Sequence, residues 1–395
     1  DTLVSCQVTD VGSLFDLMQT KEDGPSIPEW RLDSDGKPRM FEREVNRLFA
    51  DQHADQLFGG LVRAFESELE RYGSAGRLAP FRFLMLHPLS APEFAAFVSD
   101  RLRQASEISD YFDVAGGLKG PVRGGVPMPH VRNDAGWSAA RLGELLLPPL
   151  AASNEIVGQA LSALTPEERE HLRTHWSALI DRFGASHYLD YGDREETASH
   201  IRTLKALQKI DQGRLLEAAS AIADLTSDSK LARIRGLAEQ LPGLESKLDS
   251  RFTGELLYAT GTPYGPILVG GAGPNHYSAD AALIIDLGGD DVYSNNCGAP
   301  PSAAGNRTGA VGLVIDLAGN DRYLAAADAA IGSAVAGVGL LLDEGGDDLY
   351  VGMDLTQGSG FGGVGILWDR SGNDSYTGQM GAQAAAFFGL GLLVD

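Results

Sequence analysis

One short motif recurs through the last third of this chain at a nearly constant interval. Its full copies are LIIDLGGDDVY, LVIDLAGNDRY, LLLDEGGDDLY and ILWDRSGNDSY, and a partial copy, LLVD, ends the sequence. The first aspartates of successive copies are 26 to 30 residues apart: Asp286, Asp316, Asp343, Asp369 and Asp395. A period of this length is typical of proteins that stack one structural unit on its copies.

The repeated unit predicts a parallel β-solenoid with one repeat per turn. It contains an apolar triplet, a turn of glycine and aspartate and a second short strand, so it buries a face only when stacked. It has no helical period and is too short for a four-stranded propeller blade. A weaker first copy, ILVGGAGPNHY, has Gly270 and Asn275 where the others have aspartates, as terminal repeats often do. We expect each tyrosine to stack on the next tyrosine.

The preceding residues predict mainly helices. Thr165, Pro166 and Glu168 form a helix start, because the threonine caps, the proline occupies the first turn and the glutamate completes a capping box. Further helices are expected near residues 92–109, 139–147, 195–223 and 230–248.

The predicted fold class is therefore multidomain α and β. A mainly helical N-terminal domain, residues 1–250, is followed by a parallel β-solenoid, residues 251–395, with turns of about 26 residues. The solenoid is expected to be incomplete at its C-terminal end, because Asp395 falls inside a repeat.

The charge of the chain excludes some partners. The formal net charge is −22, and from Arg251 onward there are 16 acidic residues against four arginines and no lysine. Nucleic acids and anionic membranes would repel such a surface, whereas cations would be attracted. No run of about 18 apolar residues is present, so a membrane-spanning helix is not expected.

Stacked turns would bring equivalent carboxylates together. Neighbours about 4.8 Å apart repel by roughly 3.5 kcal/mol at an effective dielectric constant of 20, so a bare ladder is implausible. Cations between the turns would remove the repulsion, and calcium, which takes six to eight oxygen ligands, is the natural candidate. Simple capping of turns by the aspartates is the alternative. The candidate metal ligands are Asp286, Asp290, Asp291, Asp316, Asn320, Asp321, Asp343, Asp347, Asp348, Asp369 and Asp374.

The turns resemble a known calcium-binding repeat. The segments ending at Tyr293, Tyr323, Tyr350 and Tyr376, with sequences GDDVY, GNDRY, GDDLY and GNDSY, look like the second half of the nonapeptide of secreted RTX proteins. That resemblance implies calcium held between turns of a parallel β-roll and folding after export. It implies as ligands Asp291, Asp321, Asp348 and Asp374. The family repeats every 9 residues, unlike this chain, which is closer to uncharacterised bacterial solenoid proteins with an Asp-x-x-Gly-Asn/Asp-Asp-x-Tyr repeat.

The ends of the sequence suggest processing. The sequence begins at Asp1, which fits removal of an export signal and also fits a sequence shortened at its N-terminus. We expect a secreted or periplasmic protein. Cys6 and Cys297 would then form one disulfide or stay unpaired. The apolar strand at 392–394 should be covered, either by a second chain that continues the solenoid after Asp395 or by a second copy in a homo-oligomer.

Two functions follow from these observations. The first is an exported calcium-binding solenoid that acts as a scaffold or interaction surface. The second is a hydrolase or lyase that acts on a peptide or glycan, with its site in the helical domain or at the groove between domains. In one version of this alternative the chain is matured by cleavage after Asp395 and a second chain provides an amino-terminal nucleophile. His171 and His175 have zinc-binding spacing, but a solvated helix face is favoured. Arg322 and Arg370 near the ladder would suit a lyase, although the regular turns favour a structural ladder.

Overall fold

The computed structural model describes residues 2–6, 40–51, 59–64, 67, 84, 88–117, 139–182, 194–243, 252–301 and 310–395. The chain forms two compact units. The smaller is Val8–Val122, and the larger combines Asp1–Gln7 with Arg123–Asp395. The predicted domain boundary at residue 250 stays a prediction.

The smaller unit is helical where it is described. Its helices are α1 (Met40–Asp51), α2 (Ala91–Gln104) and α3 (Ile108–Gly117), and a short 3-10 turn, Pro88–Ser90, precedes α2. The Asp110 carboxylate accepts hydrogen bonds from the backbone N–H groups of Ser106 and Glu107, which satisfies donors at the start of α3.

The helices of the larger unit follow the sequence in part. They are α4 (Ala139–Ala160), α5 (Pro166–Arg182), α6 (Arg194–Leu207), α7 (Gln212–Ala223) and α8 (Asp228–Ala238). The predicted capping box at α5 is confirmed, since Thr165 and Glu168 exchange hydrogen bonds of 3.1 and 3.2 Å. The single helix predicted over 195–223 was wrong. It is divided after Leu207, and Asp211 caps α7 by accepting from the Arg214 N–H.

The β structure is a parallel solenoid of about four turns, as predicted. The strands are β1 (Thr2–Cys6), β2 (Phe252–Thr253), β3 (Leu256–Thr262), β4 (Gly265–Gly270), β5 (His276–Tyr277), β6 (Leu283–Asp286), β7 (Val292–Tyr293), β8 (Val311–Asp316), β9 (Arg322–Leu324), β10 (Ala334–Val335), β11 (Val338–Asp343), β12 (Leu349–Val351), β13 (Gly360–Phe361), β14 (Val364–Asp369), β15 (Ser375–Thr377), β16 (Ala386–Phe387) and β17 (Leu390–Val394).

Three sheets form the walls of the solenoid. Their strand orders are β1-β17-β14-β11-β8-β6-β4-β3, β15-β12-β9-β7-β5-β2 and β10-β13-β16. The pairing is in register with the repeat, so that Asp316 pairs with Asp343 and Tyr323 pairs with Tyr350. The repeat in the sequence therefore becomes a set of columns in the fold, each with one chemical group per turn.

Antiparallel strands close the ends of the largest sheet. At the start, β3 pairs antiparallel with β4, and at the finish β1 pairs antiparallel with β17. The predicted cover for residues 392–394 is therefore present, but it is the chain's own β1. A further chain or copy stays a prediction. The side chain of Cys6 lies outside the described residues, and so does its predicted bridge to the buried Cys297.

The solenoid interior is a column of stacked tyrosines beside a column of aliphatic residues. Tyr277, Tyr293, Tyr323, Tyr350 and Tyr376 stack with ring centroids 4.6 to 4.9 Å apart, as predicted.

The helices contribute polar contacts to the same unit, because Asn154 accepts from the Val311 N–H and Gln212 donates to the Gly362 carbonyl. Among the described helices, none has the length and apolar content needed to cross a membrane.

Candidate metal centre

Two aspartate columns run along the solenoid interior. The strand-end column contains the last residue of each long strand: Asp286, Asp316, Asp343 and Asp369. The turn column contains the aspartate five residues later in each turn: Asp291, Asp321, Asp348 and Asp374. Residues of the strand-end column are 0 to 1% exposed, and the first three of the turn column are 1 to 2% exposed. Buried carboxylates need partners, because an unpaired charge is costly in the interior.

The strand-end column is hydrogen-bonded at both carboxylate oxygens. In Asp343, Oδ1 accepts from the Gly345 N–H at 2.8 Å, and Oδ2 accepts from the Tyr323 hydroxyl at 2.6 Å. The tyrosine belongs to the preceding turn, so this contact links two turns. The other members have the same two contacts, with hydroxyl distances of 2.5 to 2.7 Å.

The turn column is satisfied at only one oxygen. Asp321 Oδ1 accepts from the backbone N–H of Asp291 at 2.6 Å, and Asp348 Oδ1 accepts from that of Asp321 at 2.5 Å. Within the described part of the chain, the Oδ2 atoms of all four members are buried and face no hydrogen-bond donor. Such atoms are rare in folded proteins and indicate an unseen ion, water or proton.

Carboxylates from adjacent turns converge into clusters. Three clusters occur among the described residues, and in each the ligand oxygens lie within 4.8 Å of one another. Each cluster combines a turn-column aspartate with both aspartates of the following turn. They are Asp291, Asp316 and Asp321; Asp321, Asp343 and Asp348; and Asp348, Asp369 and Asp374. Three oxygens at this spacing fit a hard divalent cation with metal–oxygen distances of about 2.3 to 2.6 Å.

The electrostatics of the clusters require added positive charge. Burial, reinforced by the neighbouring carboxylates, raises the pKa of Asp343 to about 8. Burial likewise raises the pKa of Asp321 to about 7 and that of Asp348 to about 6. At neutral pH the clusters therefore hold either protons or cations, because several adjacent buried charges would repel strongly.

In the first turn an asparagine amide takes the place of the turn-column carboxylate. Asn275 occupies the turn-column position, and its Nδ2 donates to Asp286 Oδ2 at 2.8 Å. Its Oδ1 accepts from the Glu255 N–H at 2.7 Å. The amide thus places a donor against the strand-end carboxylate, where the later turns have the unpartnered Oδ2 of an aspartate. Asp286 accordingly lies outside the three clusters.

Three further predicted ligands lie on the solenoid surface. Asp290, Asn320 and Asp347 form an outer column with Asn373, and none of them belongs to the described clusters. Aspartate and asparagine alternate, and each backbone N–H donates to the side chain of the preceding turn at 2.9 to 3.0 Å. The alternation separates the like charges, so repulsion between adjacent turns is weaker in the outer column than in the turn column.

His171 and Arg370, two further candidate residues, make contacts with neighbouring protein groups. His171 is buried, not on a solvated face as predicted, and its Nε2 lies 3.1 Å from the Ser199 carbonyl oxygen. The surface prediction was wrong for His171, because α6 covers this side of α5, whereas His175 is exposed as predicted. Arg370 pairs with Asp228 at 2.8 Å and with Glu344 at 3.0 Å. The sequence GGVPMPH at residues 124–130 could line a site, although a plain surface loop is favoured, and it lies outside the described residues.

The tyrosine hydroxyl contacts were not predicted. Sequence reasoning assigned the tyrosines to stacking alone and the aspartates to the ladder alone. The sequence could have predicted these contacts. A buried tyrosine hydroxyl usually has a hydrogen-bond partner, and each copy of the repeat contains one tyrosine and one strand-end aspartate.

No protein family, curated protein or solved structure matches this chain. The resemblance to RTX repeats therefore rests on the motifs, and what the structure shows is a parallel β-solenoid with clustered aspartates.

Proposed function

We propose that this protein is an exported calcium-binding β-solenoid that acts as a scaffold or interaction surface. The observation that carries the proposal is the column of buried Oδ2 atoms that find no hydrogen-bond donor among the described residues. The column recurs once per turn, and its aspartates cluster with other carboxylates. One cation in each cluster would satisfy these atoms and remove the repulsion between turns.

The donor set favours calcium. All the ligands in the clusters are carboxylate oxygens, which are the hard donors that calcium and magnesium prefer. Magnesium requires strict octahedral geometry and usually keeps several waters, whereas calcium accepts variable geometry and more ligands. Buried clusters leave little room for the waters that magnesium retains, so they are better suited to calcium.

The burial of the ligands supports a structural role for the ion. A structural metal site is closed by its protein ligands, whereas a catalytic site keeps a position open to substrate. In the first two clusters every ligand is at most 2% exposed. An ion there would stabilise the stacking of turns, and function would depend on the ordered surface outside.

An extracellular location, which is part of the proposal, would suit calcium. Extracellular calcium modules function with dissociation constants of about 0.1 to 1 mM, a concentration that is available outside cells. The hydrolase or lyase alternative stays a prediction.

Isothermal titration calorimetry of the chelator-stripped protein tests the proposal. We expect about three calcium ions per chain, one for each cluster, and weaker binding of magnesium. Asp348→Asn should lower the number of bound ions, because Asp348 belongs to two clusters. Asp347→Asn, which removes the same charge one residue away in the outer column, should leave that number unchanged. Absence of calcium binding, or equal losses in the two variants, would contradict the proposal.

A further inference from the structure

The tyrosine hydroxyls touch the candidate ligands in every cluster. Tyr293 donates to Asp316 at 2.6 Å, Tyr323 donates to Asp343 at 2.6 Å, and Tyr350 donates to Asp369 at 2.7 Å. All three tyrosines are fully buried. The first tyrosine makes the same contact in a different setting, because Tyr277 donates to Asp286, which belongs to none of the described clusters.

Each hydroxyl restrains a carboxylate that would otherwise be free to rotate. The backbone N–H two residues later holds only Oδ1 of the strand-end aspartate. The tyrosine hydroxyl holds Oδ2 and so fixes the plane of the carboxylate. Partners of this kind orient metal ligands, and their removal typically lowers metal affinity 10- to 100-fold.

The hydroxyl and a ligand come from the same turn. Tyr293 follows Asp291 by two residues in the chain, and both reach Asp316 of the following turn. The same relation joins Tyr323 and Asp321 to Asp343. One segment therefore provides a ligand for the cluster and the group that orients the next ligand.

We propose that the hydroxyls of Tyr293, Tyr323 and Tyr350 are positioning groups that hold the strand-end aspartates in the orientation required for cation binding. This inference rests on the proposed calcium-binding function. The rings have a separate role, since their stacking packs the interior whether or not a cation is bound.

Tyr323→Phe and Tyr277→Phe form the matched pair of variants. Each keeps the stacked ring and removes one buried hydroxyl from one strand-end aspartate. Tyr350 is less suitable, because the Tyr376 hydroxyl also lies 3.2 Å from Asp369 Oδ2. In the presence of chelator both variants should show similar decreases in melting temperature, because each loses one buried hydrogen bond.

The calcium affinities of the two variants distinguish a hydroxyl that orients a metal ligand from one that only stabilises the fold. By calorimetry, Tyr323→Phe should weaken binding at one or more sites about 10-fold or more, whereas Tyr277→Phe should bind like the wild type. The lifetime of directly excited europium bound to the protein gives a second readout, and Tyr323→Phe should admit additional water to the ion. Tyr293→Phe, which acts on Asp316 in the same way, should repeat both effects.

Two failures are distinguishable. If the wild type binds calcium and all three variants bind it equally well, the positioning role is overturned and the calcium proposal stands. If the wild type binds no calcium, the proposed function itself fails.

Discussion

At the scale of single residues, the choice between aspartate and asparagine decides whether a turn-column side chain needs a proton or cation to satisfy its oxygens. Asn275 satisfies its own amide and the Asp286 carboxylate by hydrogen bonds. Asp321 in the equivalent position leaves Oδ2 buried without a donor among the described residues. The same backbone therefore accepts a neutral amide, or a carboxylate together with a proton or cation.

Asp321→Asn is expected to have opposite effects with and without calcium. In chelator at pH 8 it should raise the free energy of unfolding by about 1 to 2 kcal/mol, because an amide donor replaces a buried charge. In saturating calcium it should be less stable than the wild type, because two clusters lose a ligand. Urea denaturation in both conditions checks this. Equal destabilisation in chelator and in calcium would show that the carboxylate acts only as a cap.

At the scale of the turn, glycine sets how closely successive repeats approach. Gly319 has φ +153°, and a Cβ atom there would collide with the carbonyl oxygen of Gly289 in the preceding turn. The clusters depend on this approach, because their ligands come from adjacent turns.

Gly319→Ala should separate two turns and destabilise the solenoid by about 2 to 3 kcal/mol, with loss of cation binding nearby. Gly236→Ala is the control. It lies in α8, nothing stands within 4 Å of its added Cβ, and alanine favours a helix by about 1 kcal/mol. Thermal melting compares the two, and a tolerated Gly319→Ala would mean that the turns are not closely stacked at this point.

The sequence predicted the period, the parallel stacking and the register, because each column repeats one residue type. The division between α6 and α7 was missed, since apolar residues continue through Leu207 and Ile210, which lie beside Gly362 of the solenoid. The sequence also did not distinguish the exposed Asp290 from the buried Asp291. Adjacent residues in an extended turn point to opposite sides, and only the fold shows which of Asp290 and Asp291 faces inward.

At the scale of the whole molecule, eight buried or partly buried carboxylates link stability to pH. In the cation-free protein the pKa of Asp321 is about 7 and that of Asp291 is about 8, mainly because of burial. An unfolded aspartate titrates near pH 3.9. From about pH 4 to 8 the folded state therefore holds more protons than the unfolded state, so the free energy of unfolding falls as pH rises.

Stability in chelator should accordingly be higher at pH 5 than at pH 8, and calcium should reduce or reverse this difference, because it binds the ionised carboxylates. Urea denaturation at the two pH values measures both effects. A cation-free protein that became more stable between pH 5 and 8 would contradict the raised pKa values.

A crystal structure of the calcium-soaked protein with anomalous scattering data tests directly whether the three clusters bind cations. We expect one calcium peak in each of the three clusters, with the turn-column Oδ2 atoms as ligands. We expect no peak between Asn275 and Asp286, because the Asn275 amide already donates to that carboxylate. Empty clusters at saturating calcium and pH 8, with paired carboxylates in hydrogen-bond contact, would show that shared protons hold the ladder together.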